Sequence, residues 1–364
     1  MNVELIRELS NAFGPSGFEE DVVKVVAKHS KSYAIAHDAM FNTYIRKPGN
    51  EGHGVIVQLD AHLDECGFMV QAINDDGTLS VITLGGFHPT NLPAHTVLVR
   101  TRSGQVHRGI IAAKPVHFMT EEERASQKIA IETLKVDVGT TSREETEQVL
   151  GISLGDPMVP DVTFDYNEAT GVCFGKAFDN RAGCACIIDT MDKVFADGVE
   201  AAPVTVVGAF ASQEEVGMRG ATVTAQVVKP DLAIVFEGSP SDDFFIGVTQ
   251  AQGRMKSGAQ IRLCDKSYIS NVAFIEVAEK IAKELNIPFQ ETVRRGGSTN
   301  AGVISLTGKA VPCLVIGVPS RYVHSHYNFC ALSDLEAASD LAAAVIKRLT
   351  PDTIRHIMRQ DVLG

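Results

Sequence analysis

The chain has 364 residues, a length typical of two domains or of one large α/β domain with an insertion. Hydrophobic residues make up 45% and charged residues 21% of the sequence, which excludes a disordered or collagen-like chain. The 33 basic and 45 acidic residues give a formal net charge of −12, and no basic run exceeds two residues. We therefore expect no binding to nucleic acid or to anionic membranes. With no long apolar stretch and no signal peptide, the sequence predicts a cytoplasmic protein.

The cysteines are odd in number and scattered, which predicts free thiols in a reducing compartment rather than disulfides. Most of them lie within apolar runs, as buried cysteines do. They are Cys66, Cys173, Cys184, Cys186, Cys264, Cys313 and Cys330.

The N-terminal segment is predicted to be helical. Ser16 and Glu19 have the spacing of a capping box, and an amphipathic run follows them. Residues 54–60 (GVIVQLD) then predict a buried strand, which leads into the polar segment AHLDECG.

Residues 67–165 differ in pattern from the rest of the chain. Short β-rich segments alternate with turn signals, and Ser142 and Glu145 form the capping box of one helix. We interpret this region as a small β-rich domain, a barrel or a sandwich, inserted into a larger domain formed by residues 1–66 and 166–364.

After residue 165, predicted strands and helices alternate. This pattern favours an α/β fold with a mixed, mostly parallel sheet that has helices on both faces. The predicted elements are a helix over 180–196, strands over 203–212 and 231–238, a helix over 270–286, a strand over 311–319 and a closing helix over 333–349.

Histidines and carboxylates cluster at the ends of these predicted strands. Ligands of open α/β sheets bind at the carboxyl ends of the strands, so these side chains are expected to meet there. Each residue has an ordinary explanation alone, such as helix capping by Asp179, but together they predict a metal site. The residues are His62, Asp64, Asp179, Glu214, Glu215, Glu237 and His324.

The donor types indicate the chemistry. Imidazole and carboxylate ligands suit Zn, Co or Mn, and two such ions about 3.5–4 Å apart hydrolyse amides or esters. The adjacent Glu214 and Glu215 do not fit glycosidase carboxylates, which must flank a bond from opposite sides. No nucleophile elbow or phosphate-binding loop is present. The glycine-rich segment 294–302 is either a plain strand-to-helix loop or a backbone wall for a substrate.

Six ordered segments resemble the motifs of the tetrahedral (TET) aminopeptidases, which are grouped with glutamyl aminopeptidase and the so-called cellulase M proteins. The resemblance extends from about residue 13 to the last helix. The segments are LDAHLDECGFMV, FGKAFDNRAGC, FASQEEVGMRGA, VFEGSP, RGGSTNAG and VPSRYVHSH.

The resemblance implies a role for each residue. His62 and Glu237 are expected to bind the first metal ion, and Glu215 and His324 the second. Asp179 is expected to bridge both ions. The implied catalytic residues are Glu214, as general base, and Asp64, which orients the site.

The resemblance also implies a fold and an assembly. The fold is a phosphorylase/hydrolase-like domain with an inserted PDZ-like domain, assembled as a dimer or a dodecamer. Gly297, Thr299 and Asn300 are expected near the substrate. Three positions depart from the pattern that many relatives carry: Glu237 replaces Asp, Asn300 replaces Asp, and His326 replaces Pro. The last two leave the substrate preference open.

The sequence thus predicts a cytoplasmic di-metal aminopeptidase that trims the N-termini of short peptides. A metal-dependent deacylase or amidase acting on a non-peptide amide remains an alternative. A non-enzymatic assembly, in which the metals only hold structure, is disfavoured because structural metal sites are typically closed and thiolate-rich.

Overall fold

A computed structural model describes residues 1–125, 129–247 and 249–360. The predicted domain ranges also include residues 126–128, 248 and 361–364, which lie outside the described residues. The α-helices are α1 (Val3–Asn11), α2 (Glu20–His29), α3 (Glu121–Ala125), α4 (Phe178–Val194), α5 (Arg219–Val228), α6 (Val272–Leu285), α7 (Ala301–Ile304), α8 (Leu332–Lys347) and α9 (Pro351–Ile357).

The β-strands form one large sheet and one separate barrel. They are β1 (Ala34–His37), β2 (Thr43–Arg46), β3 (Ile56–His62), β4 (Gly67–Ile73), β5 (Leu79–Leu84), β6 (Thr96–Arg100), β7 (Val106–Ile111), β8 (Lys135–Asp137), β9 (Pro157–Pro160), β10 (Asp165–Asn167), β11 (Val172–Gly175), β12 (Thr205–Ala211), β13 (Leu232–Pro240), β14 (Ala259–Cys264), β15 (Phe289–Val293), β16 (Cys313–Arg321) and β17 (Asn328–Ala331).

The large sheet is mixed. Its main path runs β1-β2-β12-β3-β13-β16-β17-β11-β10, and β14 pairs with β16 and β15. The central strands β12, β3, β13 and β16 are parallel, whereas β2, β17 and β14 join them in antiparallel ladders. The sheet is mixed, as predicted: its parallel pairs lie at this centre and between β14 and β15, whereas the other flanking pairs are antiparallel. The short flanking strands did not show in the sequence pattern, because runs of three to six residues carry little periodicity.

Helices cover both faces of the sheet, as predicted. Successive residues of β13 point to opposite faces, so Ile234 packs with α4 and α8 while Ala233 and Val235 pack with α5 and α7. The strand interior is apolar on both sides, which explains the continuous hydrophobic runs in the sequence. Within the described ranges, no helix has the length and apolar character of a membrane span.

The inserted region forms a closed antiparallel barrel in the order β4-β5-β8-β7-β6-β9. It has its own core, which includes Phe68, Leu79 and Val97. The barrel strands begin at Gly67 and end at Pro160, while β10 already belongs to the large sheet. Strand β9 was not predicted because a proline stands at each of its ends. The PDZ-like identity of this domain stays a prediction.

Two local predictions are wrong. Ser16 does not cap α2: its hydroxyl donates to Asp64 Oδ2 at 2.6 Å, and Glu19 Oε1 accepts from the amides of Gly17 and Gln213 at 2.8 and 3.1 Å. The local spacing fits a capping box, but a buried carboxylate distant in sequence takes the hydroxyl. The helix predicted to close the chain is followed by α9, which Thr350 caps.

Candidate metal centre

The carboxyl ends of the four parallel strands carry the site. His62 is the last residue of β3, Glu214 and Glu215 follow β12, Glu237 lies within β13, and His324 follows β16. Asp179 enters from the first turn of α4, where its backbone departs from helical geometry. The structure thus places all the predicted metal-binding residues at one edge of the sheet.

Asp179 lies between the two histidines. Its Oδ1 is 3.0 Å from His62 Nε2, and its Oδ2 is 3.5 Å from His324 Nε2. His324 Nε2 is also 3.5 Å from Glu215 Oε1, and His62 Nε2 is 3.8 Å from Glu214 Oε2. One carboxylate therefore presents an oxygen to each of two donor groups, an arrangement suited to a ligand that bridges two ions.

Asp64 is fully buried and contacts Glu214, Glu215 and His62. Its Oδ1 accepts the amide of Glu214 at 2.9 Å, and its Oδ2 accepts the amide of Glu215 at 3.1 Å. Its Oδ1 also lies 3.4 Å from His62 Nδ1, which contacts the Asp64 carbonyl at 3.1 Å. Burial raises the pKa of Asp64, but His62, the Ser16 hydroxyl and the Glu214 amide outweigh burial and lower it. The lowered pKa favours the ionised form of Asp64, which accepts both backbone amides.

Glu237 is held against Asp179 by close backbone packing. A β-carbon at Gly238 would lie 2.4 Å from the Asp179 Cα, so only glycine permits this approach. Asn180 Nδ2 donates to the Phe236 carbonyl at 2.8 Å and to Glu237 Oε2 at 3.3 Å. These contacts position the carboxylate of Glu237, one of the three residues at which this sequence departs from the family pattern.

The three glutamates of the site are crowded; Glu237 is buried, and Glu214 and Glu215 are partly exposed. Burial raises the pKa of Glu214 to about 8 and that of Glu215 to about 7, and the nearby carboxylates add to both shifts. Burial and the charge of Asp179 raise the pKa of Glu237 well above its usual range. The centre therefore carries more negative charge than its own histidines balance.

The pKa values of the two histidines and of Asp179 are shifted in the directions that favour their charged forms. Burial lowers the pKa of both histidines, but the carboxylates around them outweigh burial, so the pKa of His62 lies well above its usual value and that of His324 rises to about 9. Burial raises the pKa of Asp179, yet hydrogen bonds with His324 and His62 more than offset it and lower the pKa.

The donor set fits divalent cations. Single donor atoms of His62, Asp179 and Glu215 lie within 4.8 Å of one another, and so do those of Cys66, Glu215 and His324. Imidazole and carboxylate are ligands for Zn, Co and Mn, and cations would balance the crowded carboxylates.

A buried ion-pair network beneath the centre was not found by sequence reasoning. Lys176 Nζ lies 2.5 Å from Glu65 Oε1, and Arg181 Nη2 lies 3.2 Å from the same oxygen. Arg181, which is almost completely buried, also donates to the carbonyls of Leu63 at 2.5 Å and Leu9 at 2.6 Å. The network ties the segment after β3 to α1 and α4. The available signal was the basic residues next to Asp179 in FGKAFDNR.

A cavity of about 1070 Å³ opens beside the centre. Its wall includes the loop 294–298 and thus Gly297, and the contact of this loop with a substrate stays a prediction. Thr299 and Asn300 are buried beneath the wall, and Asn300 Nδ2 donates to Asp60 Oδ1 at 2.7 Å. The predicted contact of these two residues with a substrate therefore finds no support in the geometry, because the chain turns inward to begin α7.

The M42 glutamyl aminopeptidase family model matches residues 42–341. The chain belongs to this family. Its members are metallopeptidases, so the chain is a peptide hydrolase, as the resemblance implied. The putative aminopeptidase FrvX of Escherichia coli (strain K12) is 30% identical over 359 residues, 97% of each chain. The lysyl aminopeptidase of Pyrococcus furiosus is 28% identical over 368 residues, covering 96% of this M42 chain and 97% of the relative.

Solved M42-like structures share the whole fold. A TET aminopeptidase from the marine sediment archaeon Thaumarchaeota archaeon SCGC AB-539-E09 has a TM-score of 0.92 and 36% identity, covering 98% of this chain and 99% of that one. The Pyrococcus horikoshii TET1 peptidase, described as assembling into a tetrahedron or a large octahedral shell, has a TM-score of 0.84 and 27% identity, covering 95% and 99%.

Proposed function

We propose that this protein is a metal-dependent aminopeptidase that uses two divalent ions to remove residues from the N-termini of short peptides. The observation that carries the proposal is the position of Asp179 between His62 and His324, with Glu214 beside them and a cavity in front. Zn or Co is the expected ion, with Mn as an alternative. The family membership supports the aminopeptidase class.

The proposed ligands divide between two positions. His62 and Glu237 would hold one ion, Glu215 and His324 the other, and Asp179 would bind both. When bound, the ions supply Lewis acidity that activates water and polarises the scissile carbonyl. Asp64 keeps His62, Glu214 and Glu215 in register through the contacts described above.

Glu214 is the proposed general base. Its carboxylate lies at the cavity wall, and its backbone is fixed by Asp64. In the proposed mechanism Glu214 accepts a proton from the attacking water and passes it to the leaving amine, so that the peptide nitrogen departs neutral. The carboxylates around the centre would also attract the positively charged α-amine of a free peptide.

The cavity also supports a substrate preference. Its wall also carries Arg262, Arg294 and Arg295, of which Arg262 is paired with Asp265. Burial, and then the charge of Arg262, lowers the pKa of Arg294 to about 10, so that it stays charged at neutral pH. Among the residues that the structure describes, Arg294 Nε has no hydrogen-bond partner. We therefore propose that the enzyme prefers an acidic first residue, in contrast to the activity named for the lysyl aminopeptidase.

A panel of free peptides that differ only in the first residue tests function and preference together. We expect stepwise release of the first residue, with kcat/KM for a Glu peptide above that for a Lys peptide. Arg294→Gln should lower kcat/KM for the Glu peptide about tenfold or more, because a hydrogen bond to a charged group contributes about 1.5–3 kcal/mol. Arg254→Gln is the matched control, since Arg254 is not among the described residues of the wall. Equal rates for Glu and Lys peptides would contradict the preference.

We also propose a homo-oligomer. The Pyrococcus horikoshii relative is described as able to assemble into a tetrahedron or a large octahedral shell, and the inserted region of this chain exposes the apolar side chains of Phe118 and Val149, each with 73% of its surface accessible. The cytoplasmic location remains a prediction from the sequence.

A further inference from the structure

The thiol of Cys66 lies beside the second proposed ion position. Its Sγ, a carboxylate oxygen of Glu215 and a ring nitrogen of His324 all lie within 4.8 Å of one another. Neither the sequence pattern nor the resemblance assigned this cysteine a role. A sulfur, an oxygen and a nitrogen at mutual distances of this size form a set that one cation can reach.

The residues on either side of Cys66, Glu65 and Gly67, hold its backbone in place. Glu65 is pinned by its ion pair with Lys176, and a β-carbon at Gly67 would lie 2.5 Å from the Met158 carbonyl oxygen. Cys66 therefore lies between two closely packed neighbours, with only 8% of its surface accessible.

A glycine pair of the barrel completes the enclosure. A β-carbon at Gly85 would lie 2.7 Å from the Cys66 sulfur and 3.1 Å from Glu215 Oε2, and one at Gly86 would lie 3.3 Å from His324 Nδ1. The two glycines follow β5, so the barrel closes over the thiol, the carboxylate and the imidazole together. A β-carbon at either position would crowd at least one of these three side chains.

We propose that Cys66 is a further ligand of the ion at the second position, together with Glu215 and His324. This inference rests on the proposed metal-dependent function. Binding forms a sulfur–metal bond and releases the thiol proton to the buffer, and no oxidation state changes. The second position then has nitrogen, oxygen and sulfur donors, whereas His62 and Glu237 offer nitrogen and oxygen only. Thiolate favours Zn and other thiophilic ions over Mn or Mg at the second position.

Cobalt(II) reports sulfur ligation directly, without any assay of activity. We expect the full-length protein, titrated with cobalt(II), to develop a near-ultraviolet sulfur-to-cobalt charge-transfer band. Cys66→Ser should lose the band. It should also bind the cobalt ion at the second position at least about tenfold less tightly. Cys264→Ser is the matched control and should keep the band, because Cys264 Sγ donates to the Asp265 carbonyl at 3.4 Å, away from the described ligands.

Wild-type protein loaded with zinc provides a second measurement that needs no variant. X-ray absorption should show a zinc–sulfur distance of about 2.3 Å in addition to the nitrogen and oxygen shell. If the protein bound two ions and cleaved peptides, but the zinc had only nitrogen and oxygen neighbours, the role of Cys66 would be overturned. The proposed function would still stand. No stoichiometric metal binding and no cleavage would overturn both. A charge-transfer band that survives in Cys66→Ser would also refute the assignment.

Discussion

Glu214→Gln is expected to abolish turnover while the protein keeps two divalent ions per subunit. The amide preserves the size and shape of the side chain but does not accept a proton from water. General-base catalysis contributes about 10²–10⁴-fold to a rate, and kcat should fall by that factor. Turnover of a short free peptide and metal analysis of the same sample measure the two halves of this result.

The same substitution one residue along is the matched control. Glu215→Gln should lose metal from the second position, because Glu215 Oε1 is one of the oxygens that face His324 Nε2. A Glu214→Gln protein that retains more than about a tenth of kcat would rule out the general-base role. A Glu214→Gln protein without metal would place Glu214 among the ligands instead.

Asp179→Ala is expected to empty both ion positions and to remove all measurable activity. The Asp179 carboxylate presents Oδ1 to His62 at 3.0 Å and Oδ2 to His324 at 3.5 Å, so no other side chain of the centre contacts both histidines in the described part of the chain. Metal content per subunit after exhaustive dialysis is the direct measurement. Circular dichroism checks that the fold is intact.

Asp197→Ala serves as the control for this change. Asp197 has 80% of its side-chain surface accessible and pairs with Lys347 on the surface. It should keep two ions and full activity. If Asp179→Ala bound two ions with unaltered affinity, the bridging role of Asp179 would be wrong.

The clustering of the site was predictable because it follows from sheet geometry. His62, Glu214 and Glu237 each stand at or after a run of apolar residues that predicts a buried strand. Parallel strands bring such ends to one edge of the sheet. The bridging role of Asp179 needed the resemblance, since an Asp before a helix ordinarily caps it.

Long-range partners account for what the sequence did not predict. Ser16 and Glu19 satisfy a local capping pattern, yet Ser16 bonds to Asp64, a residue far along the chain. Asn300 follows a glycine-rich loop that does reach the cavity, but its side chain turns to Asp60. Cys66 resembled a core cysteine, and only the folding of the barrel over the strand end places its sulfur beside His324.

A pair of short peptides that differ only at the N-terminus tests the central claim most directly. The metal-loaded enzyme should remove residues one at a time from the free peptide, because the carboxylates of the centre attract its charged α-amine. The N-acetylated twin lacks that charge and carries an acyl group in the way, so it should remain intact. Mass spectrometry of both digests shows every product. Stepwise loss from the free peptide alone is the result that we expect, whereas internal cleavage of the acetylated peptide would contradict the aminopeptidase proposal.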